Sequence, residues 1–319
     1  MDEQNKETAA GDYTFWTPPA GRTVTVGPQQ RPVQLPSVPL PLHPAALEDD
    51  GPDDNAIGQG VYDYLRQFPD CPHNLPYAEL LRDAFPHFLA DLGAQVAMLG
   101  HKEVDAFYVR RKLTGLKILA LLEPNNPGLW QQMGTIGFEL ALTFTELAGC
   151  RQHLLGAMGA LQRALKLRPA DPTTLNYLAQ IDFYLGDYPS AARRWGEIVQ
   201  TIDQGPARQA LAAKLERIEG GKVPDHSLVD DLEAVGFAMA EFARGEFHQA
   251  LQILEQLEEE GSLPRECPTP EFFYLLGLSR GKTGDSAGAF EAFDKALAID
   301  PEYSPALEGK EIVSEGGEF

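Results

Sequence analysis

The segment Gly277–Gly281, with the sequence GLSRG, fits the Gly-x-Ser-x-Gly pattern of a serine nucleophile. Such a serine needs a strand before it and a helix after it, because the sharp turn between them exposes the hydroxyl group. Ser279 instead falls inside a stretch whose apolar residues recur at helical spacing, so we expect no catalytic role for it. The overlapping Gly281-Lys282-Thr283 resembles the end of a phosphate-binding loop, but its upstream glycine is one residue too close.

The histidines and cysteines do not indicate a metal site. None of the 7 histidines forms a His-x-x-x-His pair, and Cys71-Pro72-His73 offers two close ligands without a second pair. The cysteines Cys71, Cys150 and Cys267 are odd in number and far apart, which favours reduced thiols over a disulfide framework. We therefore expect no metal, no cofactor and no enzymatic activity.

The charge of the chain excludes whole classes of partner. Its formal net charge is −21 over 319 residues, whereas nucleic-acid binding depends largely on neutralising phosphates. An anionic membrane surface is disfavoured for the same reason. No apolar run is long enough to span a bilayer, and Met1–Lys6 lacks the pattern of a signal peptide. We expect a soluble, cytoplasmic protein without nucleic-acid binding or membrane insertion.

Two amphipathic helices are predicted around the serine motif, over Pro270–Thr283 and Ser286–Ile299. Gly284-Asp285 breaks the helical pattern between them. Gly277 leaves room for a close crossing of the two helices, and Phe293 is large enough to fill the gap that remains.

This pattern resembles the tetratricopeptide repeat (TPR), a helix–turn–helix unit of about 34 residues. The positions that carry the resemblance are Leu276-Gly277, Gly284-Asp285, Ala289, Phe293, Ala296 and Pro301. Arg280 departs from the family, which usually has Tyr or a large apolar residue there, and makes that side of the helix more polar. The resemblance implies an all-α, right-handed superhelical solenoid.

Further copies extend the resemblance towards the N-terminus. Trp130 and Gly134 match the start of a repeat, but Ala157 follows Gly134 about three helical turns later than in the family, which predicts two elongated helices meeting near Cys150. Another copy includes Phe237 among its repeat residues. The predicted organisation is a Pro-rich arm and acidic linker over 1–56, an N-terminal helical or capping region over 57–124, repeats over 127–204, a linker helix and loop over 205–230, repeats over 231–305, and a capping helix and tail over 306–319.

The N-terminal arm has a different composition. Its recurring prolines predict an extended path, and Arg22–Val26 could form a short strand but has no obvious partner strand. Two interpretations remain open: a disordered tail, or an arm lying along the helical array of its own or another chain. In the second case Tyr13, Phe15 and Trp16 would be the anchors.

The family resemblance also implies a concave groove lined by the first helix of each repeat. The residues at the groove positions are Gln131, Thr135, Phe138, Asn176, Gln180, Phe183, Tyr184, Val235, Met239, Phe242, Tyr274, Leu278 and Lys282. Phe138, Phe183 and Phe242 occupy equivalent places in three successive copies. Beside the amides of Asn176 and Gln180, a row of rings suits an extended peptide, although ordinary packing between helices is the alternative explanation.

The sequence therefore favours a protein–protein interaction adaptor, co-chaperone or assembly factor that holds a partner peptide. Only Asn176 and Lys282 offer anything similar to the family's clamp for a C-terminal carboxylate, so that specialised role is disfavoured. The alternatives are a self-assembling homo-oligomeric scaffold that uses the N-terminal arm, and a regulatory subunit of an enzyme complex.

Overall fold

The computed structural model describes residues 13–27, 29–46, 51–98, 105–315 and 317. These ranges are mainly helical, with short strands only near the N-terminus. The chain divides into two compact units, residues 1–133 and 134–319. None of the helices in these ranges has both the length and the apolar character that a bilayer-spanning segment requires.

Four short strands precede the first helix of the first unit: β1 (Thr14–Trp16), β2 (Thr23–Val26), β3 (Arg31–Gln34) and β4 (Leu40–Leu42). β1 pairs antiparallel with β4, and β2 pairs antiparallel with β3. The partner of the strand expected within Arg22–Val26, which was not obvious from the sequence, is β3. This partner contains Pro32, which lies opposite Thr25 and cannot donate to the ladder, so the sequence pattern does not suggest a strand.

Four helices complete the first unit: α1 (Asp54–Gln67), α2 (Asn74–Ala84), α3 (Pro86–Met98) and α4 (Ala106–Leu122). Pro86 is the first residue of α3, a position where the missing N–H of proline has no cost.

The strands belong to the hydrophobic core of the first unit. Leu40 and Leu42 are fully buried and cluster with Ile57 and Val61 of α1. The Tyr77 hydroxyl donates a hydrogen bond to a backbone carbonyl just before β4. A disordered tail is therefore the wrong interpretation for the described part of the arm. Residues 1–12 and the acidic stretch 48–50 lie outside the described ranges.

The second unit is a succession of helices in pairs. They are α5 (Pro127–Ala141, which begins in the first unit), α6 (Cys150–Leu167), α7 (Pro172–Tyr184), α8 (Tyr188–Thr201), α9 (Pro206–Glu219), α10 (Leu228–Ala243), α11 (Phe247–Glu259), α12 (Leu263–Glu266), α13 (Pro270–Lys282), α14 (Ser286–Ile299) and α15 (Ser304–Ser314). The pairs α7/α8, α10/α11 and α13/α14 pack within themselves as helix–turn–helix repeats. The predicted all-α repeat architecture is confirmed.

Two of these pairs share the chemistry of their turn. Gly186 and Gly284 have φ values of 82° and 91°, a left-handed conformation that glycine adopts without steric cost. The next residue then caps the second helix: Asp187 accepts from the Ser190 N–H at 3.1 Å, and Asp285 accepts from the Gly288 N–H at 2.9 Å. The Gly-Asp dipeptide thus ends one helix and begins the next.

The last repeat also shows how Arg280 is accommodated. Its side chain is only 13% exposed, and its guanidinium bonds to Glu258 at 2.8 Å and to Glu255 at 3.4 Å. Both glutamates lie on α11, the second helix of the preceding pair. The departure from the family pattern therefore forms an ion-pair network between neighbouring repeats.

The prediction of two elongated helices near Cys150 was wrong for the first of them. α5 ends at Ala141, and a 3₁₀ helix over Phe144–Gly149 fills the interval before α6. α10 packs on this segment, and a side chain at Gly236 would clash with the Ala148 backbone. Gly236 is therefore the residue that allows α10 to pack closely on the 3₁₀ helix. The neighbouring Phe237, which was predicted as a repeat residue, is 54% exposed.

Candidate functional site

The predicted groove residues lie at different depths. Gln131 belongs to the first unit and the others to the second. Phe138 and Val235 are buried, and Lys282 is exposed. The partly buried members are Thr135, Asn176, Gln180, Phe183, Tyr184, Met239, Phe242, Tyr274 and Leu278.

The three equivalent phenylalanines do not have equivalent surroundings. The Phe138 ring packs edge-on against Tyr177 and Tyr184, with ring centroids 5.5 and 5.8 Å apart, inside the core of the second unit. Phe183 is instead only partly buried, and the centroid of its ring lies 6.0 Å from that of Trp195. Phe138 therefore has a packing role between helices, whereas Phe183 also lines a cavity.

The two amides of α7 are engaged differently. Asn176 Oδ1 accepts a hydrogen bond of 3.0 Å from Trp195 Nε1, which satisfies the donor of a buried indole. Gln180 makes one long contact of 3.5 Å, to the Asn176 carbonyl. Asn176 thus fixes the indole within its own repeat, and Gln180 reaches the cavity.

The first cavity, named here the aromatic pocket, has a volume of about 180 Å³. Its lining residues are Gln180, Phe183, Tyr184, Trp195, Lys214, Arg217, Leu228, Glu266 and Cys267. Three of the predicted groove residues, Gln180, Phe183 and Tyr184, converge here. They do so because all three project from the C-terminal half of α7.

Two cations in the aromatic pocket were not predicted. Lys214 Nζ lies 4.8 Å from the centroid of the Trp195 ring, and the Arg217 guanidinium lies 6.0 Å from that of Phe183. Arg217 also forms an ion pair with Glu266. Burial lowers the pKa of Lys214, because its charged form loses water of hydration. Both cations come from α9, a helix without repeat signature. The only sequence feature that could have indicated their shared position is their spacing of three residues, which places them on one face of a helix.

The second cavity, named here the apolar pocket, has a volume of about 240 Å³. Its lining residues are Leu142, Phe144, Leu147, Tyr184, Leu232, Val235, Leu263, Cys267, Thr269, Glu271 and Phe272. Tyr184 and Cys267 line both cavities, and their side chains meet at 3.3 Å. Burial raises the pKa of each of them, so both groups are neutral at physiological pH.

The serine motif has a structural explanation. Ser279 is fully buried inside α13, and its hydroxyl donates a hydrogen bond of 2.8 Å to the Leu275 carbonyl one turn earlier. A hydroxyl held in this way cannot reach a substrate. Among the described residues, no group of three His, Cys, Asp or Glu side chains could hold a metal ion.

The predicted arm anchors lie in the first unit. The rings of Tyr13 and Phe15 pack against Tyr64 of α1, with centroids 5.1 and 5.4 Å apart. Trp16 is partly buried against the core of that unit. In this structure all three contact their own chain.

One segment of the repeat region matches a known family. Residues 235–304, which include α11, α13 and α14, match the family model described as tetratricopeptide repeat. This segment of the chain carries tetratricopeptide repeats. Such arrays present extended surfaces for other proteins, so protein–protein interaction is the general role of this fold.

Solved structures resemble parts of the chain at low identity. A tetratricopeptide repeat protein from Parabacteroides merdae is 17% identical, covers 71% of this chain and 98% of its own, and has a TM-score of 0.27. YrrB, described as a TPR protein with an unusual peptide-binding site, is 16% identical over 61% of this chain and 97% of its own, with a TM-score of 0.24. A thermophilic TPR protein in Thermus thermophilus is 18% identical over 59% of this chain and 99% of its own, with a TM-score of 0.26. No curated protein matches the sequence.

Proposed function

We propose that this protein is an adaptor that binds an extended segment of a partner protein along the aromatic and apolar pockets. The observation that carries the proposal is the convergence of Gln180, Phe183 and Tyr184 on one cavity. Co-chaperone and assembly-factor roles would use the same contacts.

The dimensions of the two cavities favour a peptide over a cofactor. Volumes of about 180 and 240 Å³ fall below the roughly 300–1,000 Å³ typical of small-molecule sites. Cavities of this size suit single side chains. An extended peptide supplies side chains at regular intervals, and Gln180 beside the cavity can bond to its backbone.

The aromatic surroundings support the same conclusion. Phe183, Tyr184 and Trp195 give the first pocket walls that are apolar and rigid, so little conformational entropy is lost when a side chain enters. The indole of Trp195 is already held in place by Asn176. A wall that is ordered before the ligand arrives increases affinity by reducing the cost of binding.

The proposal is tested by selecting peptides from a random displayed library on the full chain. The selected peptides are then measured on Phe183→Ala and on Phe237→Ala, a matched control because Phe237 is exposed and lines neither pocket. We expect the affinity to fall at least tenfold for Phe183→Ala and to stay within twofold for Phe237→Ala. Equal affinities for both variants would contradict the proposed site, and circular dichroism at the assay temperature checks that both variants are folded.

A self-assembling scaffold is a second candidate, supported by Phe15, which is 48% exposed although it lies in an aromatic cluster. If Phe15 joins chains, light scattering of the full-length protein will give a mass above 35.0 kDa at micromolar concentration. Phe15→Ser will then restore the monomer. A monomeric wild type at all concentrations tested would remove this candidate.

A further inference from the structure

We propose that the groove selects its peptide by an acidic side chain, bound as a carboxylate beside Lys214, and by an apolar side chain two positions away in the apolar pocket. This inference rests on the proposed function, since it names the chemistry of the peptide that the same two pockets would hold.

The charges of the aromatic pocket are unbalanced. Lys214 and Arg217 bring two positive charges, and Glu266 brings one negative charge that is paired with Arg217. Among the described residues, no carboxylate forms an ion pair with Lys214. The ammonium group therefore faces the cavity without a compensating charge, in a chain whose formal net charge is −21.

The position of Lys214 strengthens this argument. Its Nζ lies 4.8 Å from the centroid of the Trp195 ring, and the loss of hydration on that side lowers the pKa of Lys214, although the residue as a whole remains exposed. A carboxylate from a ligand in the cavity would pair with this ammonium group and replace part of the hydration that it has lost. Arg217, already aligned by Glu266, adds a second donor nearby.

The pocket favours a carboxylate over a phosphoryl group. A phosphorylated side chain carries about 1.5 to 2 negative charges at neutral pH, whereas Lys214 is the one cation of this pocket that no described carboxylate neutralises. The strongly acidic remainder of the chain would repel the surplus charge. A single carboxylate matches the single uncompensated ammonium group.

The spacing follows from the wall between the pockets. Tyr184 and Cys267 line both cavities, so the two bound side chains lie on opposite sides of one side-chain layer. In an extended peptide, residues i and i+2 point to the same side and are about 7 Å apart. Because the two cavities are adjacent, we take the acidic and the apolar residue to be two positions apart, the shortest spacing at which both side chains point to the same side.

The test compares peptides selected from a random displayed library on the full-length wild type, Lys214→Met and Lys214→Glu. Methionine keeps the apolar stem of lysine and removes the charge. Lys222→Met is the matched control, because Lys222 is exposed and lines neither pocket. We expect wild-type peptides to be enriched in Asp or Glu two positions from a bulky apolar residue. Their affinity should fall at least tenfold for Lys214→Met and less than twofold for Lys222→Met, and Lys214→Glu should select basic residues instead.

The outcomes separate this inference from the proposed function. Peptides that depend on Phe183, show no acidic enrichment and bind Lys214→Met as well as the wild type would overturn the inference and leave the adaptor function standing. A selected peptide that binds at least tenfold more tightly once its acidic residue is replaced by phosphoserine would overturn the assignment to a carboxylate. Failure to select any peptide that depends on Phe183 would overturn both proposals.

Discussion

The hydroxyl oxygen of Tyr184 lies 3.3 Å from Sγ of Cys267, and these two side chains form the wall shared by the aromatic and apolar pockets. Tyr184 comes from the end of α7, and Cys267 follows the short helix α12. The wall thus joins a repeat helix to a segment outside the repeats. Its geometry depends on how that segment is held against the array.

The wall predicts different results for two substitutions of Tyr184. Tyr184→Phe keeps the ring and removes only the contact with the thiol, so we expect a stability loss of about 1 kcal/mol or less and peptide affinity within about twofold. Tyr184→Ala merges the two pockets and should lose about 3 kcal/mol of stability and most of the affinity. Urea denaturation and peptide titration measure the two effects. A Phe variant as weak in binding as the Ala variant would show that the hydroxyl, and not the wall, matters.

The phenylalanines of successive repeats should differ in their contribution to stability. Phe138 is 7% exposed and packs in the core, so Phe138→Ala should lower the free energy of unfolding by about 3–5 kcal/mol. Phe183 is partly exposed at a cavity, and Phe183→Ala should cost less than half of that amount. Chemical denaturation of the two variants at one pH makes the comparison. Equal losses would mean that Phe183 is a core residue and that its role in the pocket is secondary.

The repeats could be predicted from the sequence because their determinants are local. Gly284-Asp285 supplies both a left-handed turn residue and a helix cap, and a side chain at Gly277 would overlap the ring of Phe293, so only glycine allows the two helices to pack this closely. These features recur at fixed intervals along the chain. They require no knowledge of distant contacts.

The strands and the cations of the aromatic pocket could not be predicted in the same way. β3 pairs with β2 although it contains Pro32, because its place at a sheet edge leaves the missing N–H without consequence. Lys214 and Arg217 are ordinary charged residues of a polar helix until α9 packs against α8. Their role depends on tertiary contacts for which the sequence carries no periodic signal.

The hydrogen bond between Asn176 and Trp195 should be visible in a double-mutant cycle. Asn176→Leu leaves the buried indole N–H without its acceptor, which should cost about 1–3 kcal/mol. Trp195→Phe removes the donor, so in that background the same change at Asn176 should cost less. A coupling energy of about 1 kcal/mol from chemical denaturation would confirm the bond. Additive losses would mean that the indole finds another acceptor.

Cys150 should be unreactive in the folded protein and should make stability sensitive to alkali. It begins α6, where a helix N-terminus normally lowers the pKa of a thiol, but it is fully buried, and burial raises its pKa to about 12. We therefore expect no alkylation of Cys150 by iodoacetamide at pH 8.5 in native protein. The partly exposed Cys71 and Cys267 serve as internal comparisons. Alkylation of native Cys150 as fast as in urea would contradict the burial.

The sign of the alkaline effect follows from the raised pKa of Cys150. The unfolded thiol has a pKa of about 8.5, so the native state holds its proton more tightly. This contribution to stability is complete below about pH 8.5 and is lost as the pH rises towards 12, by at most about 1.4 kcal/mol per pH unit. Cys150→Ala should remove this loss. The stability of the wild type relative to this variant should therefore decrease between pH 8 and pH 10.5, and a constant difference would contradict the expectation.

Asp231 should control the segment that carries the shared wall. It is 3% exposed, and its carboxylate accepts hydrogen bonds from the N–H groups of Ser262 and Leu263 at 2.7 and 2.8 Å and contacts His226 Nε2 at 2.5 Å. Asp231→Ala leaves these donors without their acceptor, which should cost about 3 kcal/mol or more. The segment after Ser262 leads directly to Glu266 and Cys267, so peptide affinity should also fall although no residue of either pocket is changed.

Asp230→Ala provides the control for this substitution. Asp230 is adjacent in sequence, but its carboxylate is 56% exposed and bonds at the surface to Arg151 and Ser227, so its loss should cost about 1 kcal/mol or less. Hydrogen exchange gives the decisive measurement. In Asp231→Ala the amides of Ser262 and Leu263 should exchange faster, while those in the middle of α7 keep their protection. If these two amides stay protected while peptide affinity falls, Asp231 does not act through the wall formed by Tyr184 and Cys267.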